Sequence, residues 1–136
     1  MNEMNTAWRS KNRCRYLLQY HVIFVCQYRK KLLSSKNISD EIKMLSRDIC
    51  EKHKVIIKYM ETDNDHIHYL LEAEPVISIS KIVNLMKSYT TYHIWKTHEE
   101  YLSKHFWKER TFWTDGYIVC SVGNISERQL KEYITN

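Results

Sequence analysis

Apolar and polar positions follow two periods along the chain, and these periods predict strands and helices in a definite order. A nearly continuous apolar run at 16–29 is typical of a strand covered on much of both faces. Shorter runs rich in β-branched and aromatic residues predict further strands at 54–61, 66–72 and 116–122. The polar stretch TDND, between the second and third of these runs, predicts a hairpin turn.

Two amphipathic helices are predicted between the strands. In the first, Ser39 is the predicted N-terminal cap, Asp40 and Glu41 suit the first turn, and apolar residues recur at Ile38, Ile42, Leu45 and Ile49. The second begins near Ser78, after Pro75 has ended the third strand, with a stripe at Ile79, Ile82, Val83, Met86, Tyr89 and Trp95. A short third helix is predicted over the last residues, where Ser126 and Gln129 form a capping box.

The order strand, helix, strand, strand, helix, strand predicts an α+β fold of the ferredoxin-like, split βαβ type. In that arrangement the sheet is antiparallel and both helices cover one face. The chain has only two glycines and one proline, with no repeat and no linker-like segment. We therefore expect residues 1–136 to form a single domain, with the short third helix appended.

Two histidines open the third strand, in the stretch DNDHIHYLLE. Because side chains alternate along a strand, His66 and His68 share one face, while Ile67, Tyr69 and Leu71 share the other. The apolar face is expected to lie under the helices, which leaves both histidines on the opposite side of the sheet. Two imidazoles so placed can bind one divalent metal ion, although an isolated pair of this kind more often just faces solvent.

The composition indicates which partners, cysteine sites and cellular location to expect. Lys and Arg outnumber Asp and Glu by 21 to 16, and a pI near 9.0 favours a polyanionic partner as much as it fits a merely basic surface. The four cysteines form no C-x-x-C pair, which argues against a zinc knuckle or a disulfide framework. No signal peptide or membrane-spanning run is evident, so we expect a soluble cytoplasmic protein that does not bind membranes.

Four separated blocks resemble a known family in order and spacing: YHVIFVCQYRK, ETDNDHIHYLLE, FWTDGYIVCSVGN and LKEYI. From about Tyr20 to the last residue, the chain is similar to the single-tyrosine HUH transposases of bacterial insertion sequences, the TnpA type. The resemblance implies the HUH endonuclease fold and a homodimer. It also implies an enzyme that cleaves and rejoins single-stranded DNA at element ends, which relatives recognise by hairpins.

The resemblance also assigns roles to individual residues. His66 and His68 would hold Mg²⁺ or Mn²⁺ at the scissile phosphate, and Tyr133, in KEYI, would be the nucleophile that forms a 5′-phosphotyrosine. Without the family blocks, Tyr133 would be taken as a helix residue that packs beside Leu130 and Ile134. Tyr117 is the rival nucleophile, but its place in GYIVCSV predicts sheet packing.

One departure from the family pattern affects the metal site. Relatives commonly carry a glutamine four residues after the tyrosine as a third metal ligand, and this chain ends at Asn136, one residue before that position. Either the chain is shorter than its relatives, or the ion is completed by another residue. Asn64 and Asp65 are the candidates for that ligand, with Asp63 as a further possibility.

Basic residues among aromatic ones are the candidate DNA contacts, because such residues can neutralise phosphates and stack on bases. They are Arg13, Arg29, Lys30, Lys31, Lys87, Lys108 and Arg110. For any one of them, a solvated charge beside a core aromatic residue is an equal alternative. In relatives the tyrosine helix can act in trans, on the partner subunit's histidines.

Two competing functions remain. A non-catalytic, RRM-like module that binds single-stranded nucleic acid would suit the same topology, although no RNP-like block is present on the first or third strand. A domesticated HUH nicking enzyme, which binds end-like hairpins without completing transposition, is the other.

Overall fold

The structure, a computed structural model, describes residues 17–122. These residues form a four-stranded sheet with two long helices, as the sequence predicts. Two short 3₁₀ turns, Gln27–Arg29 and Leu32–Ser34, follow the first strand. In chain order the main elements are β1 (Leu18–Val25), α1 (Lys36–Lys52), β2 (Ile56–Thr62), β3 (His66–Ala73), α2 (Ile79–Ser103) and β4 (Ile118–Ser121).

The sheet has the strand order β2-β3-β1-β4, and every adjacent pair is antiparallel. This is the ferredoxin-like order, so the predicted α+β fold is confirmed. β1 and β3 are central, and their register pairs Val25 with His66. β2 and β4 are the edge strands.

The two faces of the sheet differ in what covers them. On one face, Val22, Phe24, Ile67, Tyr69 and Leu71 belong to a single buried cluster with residues of α1 and α2, such as Ile42 and Met86. On the other face, Leu70 packs with Val122 and Tyr59 in a separate, smaller cluster. The prediction that Ile67, Tyr69 and Leu71 lie under the helices is therefore confirmed.

The first helix begins earlier than its sequence predicts. Its N-cap is Ser35, whose hydroxyl accepts a hydrogen bond from the Ile38 N–H at 3.4 Å, and Ser39 lies inside α1. Ser39 is buried and shares a 2.9 Å hydrogen bond with the Thr62 hydroxyl at the end of β2. The prediction of Ser39 as the cap was wrong because two serines four residues apart present the same local signal, and only packing separates them.

The last strand is shorter than predicted, and Tyr117 lies outside it. β4 begins at Ile118, and the Tyr117 side chain is exposed, with the Lys87 ammonium 5.9 Å from its ring centroid. The expectation that Tyr117 packs in the sheet was wrong, because the strand pairing starts one residue later. The predicted third helix lies outside the described residues. Within 17–122, no helix is long and apolar enough to cross a bilayer.

Candidate active site

The two histidines of β3 lie side by side on the sheet face opposite the helices. The ring centroids of His66 and His68 are 4.7 Å apart, with the ring planes tilted by 42°. Both side chains are half-buried, so they are shielded from bulk water without being enclosed. The strand alternation that predicts a shared face is thus realised as direct ring contact.

Asp65 orients the first of these rings. Its Oδ1 lies 2.8 Å from Nδ1 of His66, and its Oδ2 accepts a hydrogen bond from Nε of Arg29 at 3.1 Å. The hydrogen bond from His66, with Arg29 adding to it, holds the pKa of Asp65 below its ordinary value. Because an ionised carboxylate only accepts hydrogen bonds, Nδ1 of His66 is the donor in this pair, which leaves Nε2 as the nitrogen that could bind a metal ion.

His68 is kept neutral by its surroundings. Burial lowers its pKa, the neighbouring His66 lowers it further, and the carboxylates of Glu61 and Asp63 oppose the shift. Nδ1 of His68 is buried and makes no hydrogen bond in the described structure. A metal ligand must be deprotonated, and a neutral His68 whose Nδ1 is buried would use Nε2 for that purpose.

A third histidine, His21 of β1, lies against this pair and was missed in the sequence. Its ring centroid is 5.7 Å from that of His68, and its side chain is only 2% exposed. Burial lowers the pKa of His21 to about 4. The signal was the position of His21 on the outer face of β1, but only the register of β1 against β3 brings it beside His68.

Two of the candidate third ligands, Asp65 and Asp63, already accept hydrogen bonds through their carboxylates. Both carboxylate oxygens of Asp65 accept hydrogen bonds from side chains. The backbone of Asn64 is fixed in the turn, where its carbonyl accepts from Leu33 N–H at 2.9 Å and its N–H donates to Oδ1 of Asp63 at 2.8 Å. Among residues 17–122, no three His, Cys, Asp or Glu side chains converge closely enough to hold an ion.

Glu61 is a further carboxylate beside the histidines, and no motif in the sequence singles it out. It lies directly opposite His68 in the pairing of β2 with β3, which puts both side chains on the outer face. The Tyr59 hydroxyl donates to one of its oxygens. The pair of histidines therefore has an acidic neighbour, in a position that follows from the register of the hairpin.

Most of the candidate DNA contacts lie on two surface segments, at 28–31 and 107–110. Lys108 lies over the Trp107 ring at 4.8 Å, and Lys30 lies 5.8 Å from the Phe106 ring. Arg110 is bound between the Trp95 ring and the Glu99 carboxylate. Lys31 precedes the second 3₁₀ turn, and Arg29 is held by Asp65. Arg13 and the candidate nucleophile Tyr133 lie outside the described residues.

Lys87 is occupied by the protein itself. Its ammonium donates hydrogen bonds to the carbonyls of Thr114, Asp115 and Gly116 at 2.6, 2.9 and 3.4 Å. Burial lowers its pKa, and the charge of Asp115 opposes this. This lysine is thus engaged in holding the segment that leads into β4, and a phosphate would have to compete with these carbonyls.

The chain is similar in sequence to known transposases. The chain is 28% identical over 119 residues to the ISDra2 transposase TnpA of Deinococcus radiodurans, covering 88% of this chain and 83% of that protein. It is also 28% identical over 120 residues to the transposase for insertion sequence element IS200 of Salmonella typhimurium, covering 88% and 76%.

Solved structures share the fold. A crystal structure assigned as a transposase of Deinococcus radiodurans superimposes with a TM-score of 0.72 at 26% identity, covering 89% of this chain and 91% of that one. A REP-associated tyrosine transposase bound to a REP hairpin has a TM-score of 0.59 at 10% identity, covering 91% and 68%, and at that identity only the fold is shared. Residues 14–136 match the family described as Transposase IS200 like, and the chain belongs to this family of DNA-transposing enzymes.

Proposed function

We propose that this transposase cleaves and rejoins single-stranded DNA at the ends of an insertion sequence through a 5′-phosphotyrosine. The observation that carries the proposal is the pair His66 and His68, in ring contact on the uncovered face of the sheet. Tyr133 supplies the nucleophile in this proposal. That role rests on the family resemblance of KEYI, since Tyr133 lies outside the described residues.

The phosphotyrosine bond formed in the covalent step retains the free energy of the phosphodiester bond that is broken. The Tyr133 hydroxyl loses its proton as its oxygen forms a bond to phosphorus. The bond from phosphorus to the 3′ oxygen breaks, and that oxygen takes up a proton and leaves as a 3′-hydroxyl. Attack by a 3′-hydroxyl on the phosphotyrosine reverses the step and joins the strands without ATP. The residues described here would bind and orient the phosphate for both steps.

The chain's own residues fit a Mg²⁺ or Mn²⁺ ion in part. Asp65 leaves Nε2 of His66 available, as argued above, and burial keeps His68 neutral. When bound, the ion supplies charge that polarises the scissile phosphate. Because Mg²⁺ and Mn²⁺ favour oxygen ligands, an ion bound by two imidazoles would need further oxygen ligands from the phosphate, from water or from side chains. The candidate side chains are Asn64, Asp65 and the nearby Glu61.

An exposed aromatic and basic surface next to the histidines supports DNA binding. Tyr28 is 62% and Trp107 82% exposed, and the Tyr28 hydroxyl donates to Glu109 at 3.0 Å, which joins the two segments. Arg29 ties this surface to Asp65 and hence to His66. Of the four described residues other than glycine that have a positive φ, three lie on this surface, Tyr28, Arg29 and Lys108, and Lys54 follows α1; such strain is concentrated at functional sites.

We further propose that the DNA carries a hairpin and that the enzyme is a homodimer in which Tyr133 can act in trans, as the tyrosine helix can in relatives. A REP hairpin is bound in the structure of the REP-associated transposase that shares this fold. The dimer is supported by β4, the last strand on that side of the sheet among residues 17–122, whose four residues are all exposed and include Ile118 and Val119. An uncovered apolar edge is a site for pairing with another chain.

The test is formation of a covalent adduct. Labelled single-stranded DNA from the gene's own flanks is incubated with the protein and Mg²⁺ or Mn²⁺, then run on a denaturing gel. We expect an adduct for the wild type that is lost in Tyr133→Phe and His66→Ala and upon chelation. Tyr117→Phe is the matched control and should retain it.

Each competing function predicts a different result. An RRM-like module binds the DNA with or without chelator, forms no adduct and does not need Tyr133. A domesticated nicking enzyme forms the adduct but does not join it to a second strand. Tight hairpin binding without any adduct by all these proteins would contradict the transposition chemistry proposed here.

A further inference from the structure

We propose that His21 is a positioning residue that accepts a hydrogen bond from Nδ1–H of His68 and so fixes the ring of that metal ligand. The inference rests on the proposed function only in taking His68 as a ligand. It assigns a role to a side chain that the transposition chemistry does not itself require.

The first observation is that His21 is buried without satisfying either ring nitrogen. Its side chain is 2% exposed, and neither Nδ1 nor Nε2 makes a hydrogen bond in the described structure. A buried polar group without a partner costs about 1–3 kcal/mol, and few such groups occur in folded proteins. Because the unpaired nitrogens of His21 destabilise the fold, packing alone does not explain a histidine at this position.

The second observation is that the unpaired nitrogens of His21 have an unpaired neighbour. Nδ1 of His68 is also buried and without a partner, and the two ring centroids are 5.7 Å apart with the planes tilted by 53°. These are the only buried side-chain nitrogen or oxygen atoms without partners in the part of the chain that the structure describes. Two of them would pair if the rings turned toward each other and also moved slightly closer together.

The donors and acceptors available on the two rings indicate that His68 donates this hydrogen bond and His21 accepts it. A histidine that binds a metal through one nitrogen carries a proton on the other and usually donates it to a fixed acceptor. For His66 the acceptor is Asp65. His68 has no carboxylate on its Nδ1, and the neutral imidazole of His21 offers one acceptor and one donor nitrogen.

The other ring nitrogen of His21 has a candidate hydrogen-bond acceptor of its own. The backbone carbonyl of Tyr69 raises the pKa of His21 although burial outweighs this effect, and in the described structure it is not yet hydrogen-bonded to either ring nitrogen. The resulting chain runs from Nδ1–H of His68 to one nitrogen of His21, and from the other nitrogen, as N–H, to the Tyr69 carbonyl. Each polar atom then has a partner, which the uncharged form of both rings permits.

The surroundings of His21 favour an apolar residue if packing were its only task. It is paired across the sheet with Leu70 on β3 and Cys120 on β4, on the face where Leu70 packs with Val122. Leucine would fill that position without any unpaired polar atom. A positioning role and a structural role therefore predict opposite effects of His21→Leu.

The experiment measures Mn²⁺ binding to the protein alone, by electron paramagnetic resonance titration, together with the thermal midpoint. We expect His21→Leu to bind Mn²⁺ about 10- to 100-fold more weakly, as for other residues that orient metal ligands. Its thermal midpoint should be unchanged or higher. At least one of His21→Asn and His21→Gln should restore much of the affinity, because an amide also presents a donor and an acceptor.

The matched control is His93→Leu, which removes a histidine of α2 that contacts Tyr89 and Tyr92 and should leave Mn²⁺ affinity unchanged. Equal affinity in the wild type and His21→Leu would overturn the inference and leave the proposed metal site intact. A lower midpoint together with weaker binding would make His21 a structural residue and also overturn it. No Mn²⁺ binding by the wild type would overturn the metal site itself.

Discussion

A buried hydrogen bond links α1 to the strand that carries the histidines. The Ser46 hydroxyl donates to the Ile42 carbonyl at 2.8 Å, so the Tyr69 hydroxyl, 2.7 Å from Ser46 Oγ, is the donor in their pair. Tyr69 follows His68 directly, and its ring is fully buried among the helices. This bond fixes the inner face of β3 at the point where the outer face carries the site.

The direction of that bond predicts an order of stabilities. Ser46→Ala leaves a buried Tyr69 O–H without an acceptor and should cost about 1–3 kcal/mol of unfolding free energy. Tyr69→Phe removes the donor and leaves the Ser46 proton satisfied, so it should cost only about 1 kcal/mol. Urea denaturation measures both, with the exposed Tyr92→Phe as a control; a larger loss for Tyr69→Phe would contradict the assigned direction.

At the scale of elements, Lys87 connects α2 to the segment that delivers β4. Its ammonium caps three successive carbonyls, Thr114 to Gly116, two to four residues before the strand begins. Although lysine in a basic protein is an obvious phosphate contact, this one neutralises carbonyl dipoles of its own chain. The charge of Lys87 therefore has a structural role within the protein, whether or not this lysine also contacts DNA.

We therefore expect Lys87→Met to lower the free energy of unfolding by about 1 kcal/mol, a value reduced for partial exposure. The methionine keeps the length and apolar character of the side chain but loses the donors. The exposed Lys81→Met, on the same helix, is the control and should change stability little. Denaturant titration of both variants measures this, and equal stabilities would count against a structural role for the Lys87 charge.

At the scale of the whole molecule, the proposed homodimer is most readily built through β4. The Val122 N–H donates to the Gln19 carbonyl at 2.9 Å, so by alternation the N–H groups of Ile118 and Cys120 also point toward β1. The N–H groups of Val119 and Ser121 then point away from β1, toward an edge that no other described strand covers. A second copy of β4 could pair with them and extend the sheet.

Val119→Pro removes one outward N–H without removing a hydrogen bond to β1, and an edge strand tolerates proline. We expect this variant to sediment as a monomer in analytical ultracentrifugation, with a circular dichroism spectrum like that of the wild type. Val119→Thr keeps the N–H and should sediment as the dimer. A dimer that persists in Val119→Pro would place the interface elsewhere.

The sequence by itself determined the elements, their order and the face of β3 on which His66 and His68 lie. These follow from local periodicity, because a strand alternates at every residue and a helix repeats its apolar stripe about every 3.6 residues. The fold class followed from the element order, and the family from four separated blocks of residues.

Only the tertiary structure decided what surrounds those histidines. Strand register places His21 beside His68 and Glu61 opposite His68. The path of the turn after β1 brings Arg29 to Asp65, which also contacts His66. The choice of Ser35 over Ser39 as the cap, and the use of Lys87 within the fold, also depend on contacts between distant segments. Such contacts join residues far apart in the chain, whereas hydrophobic periodicity reports only on neighbours.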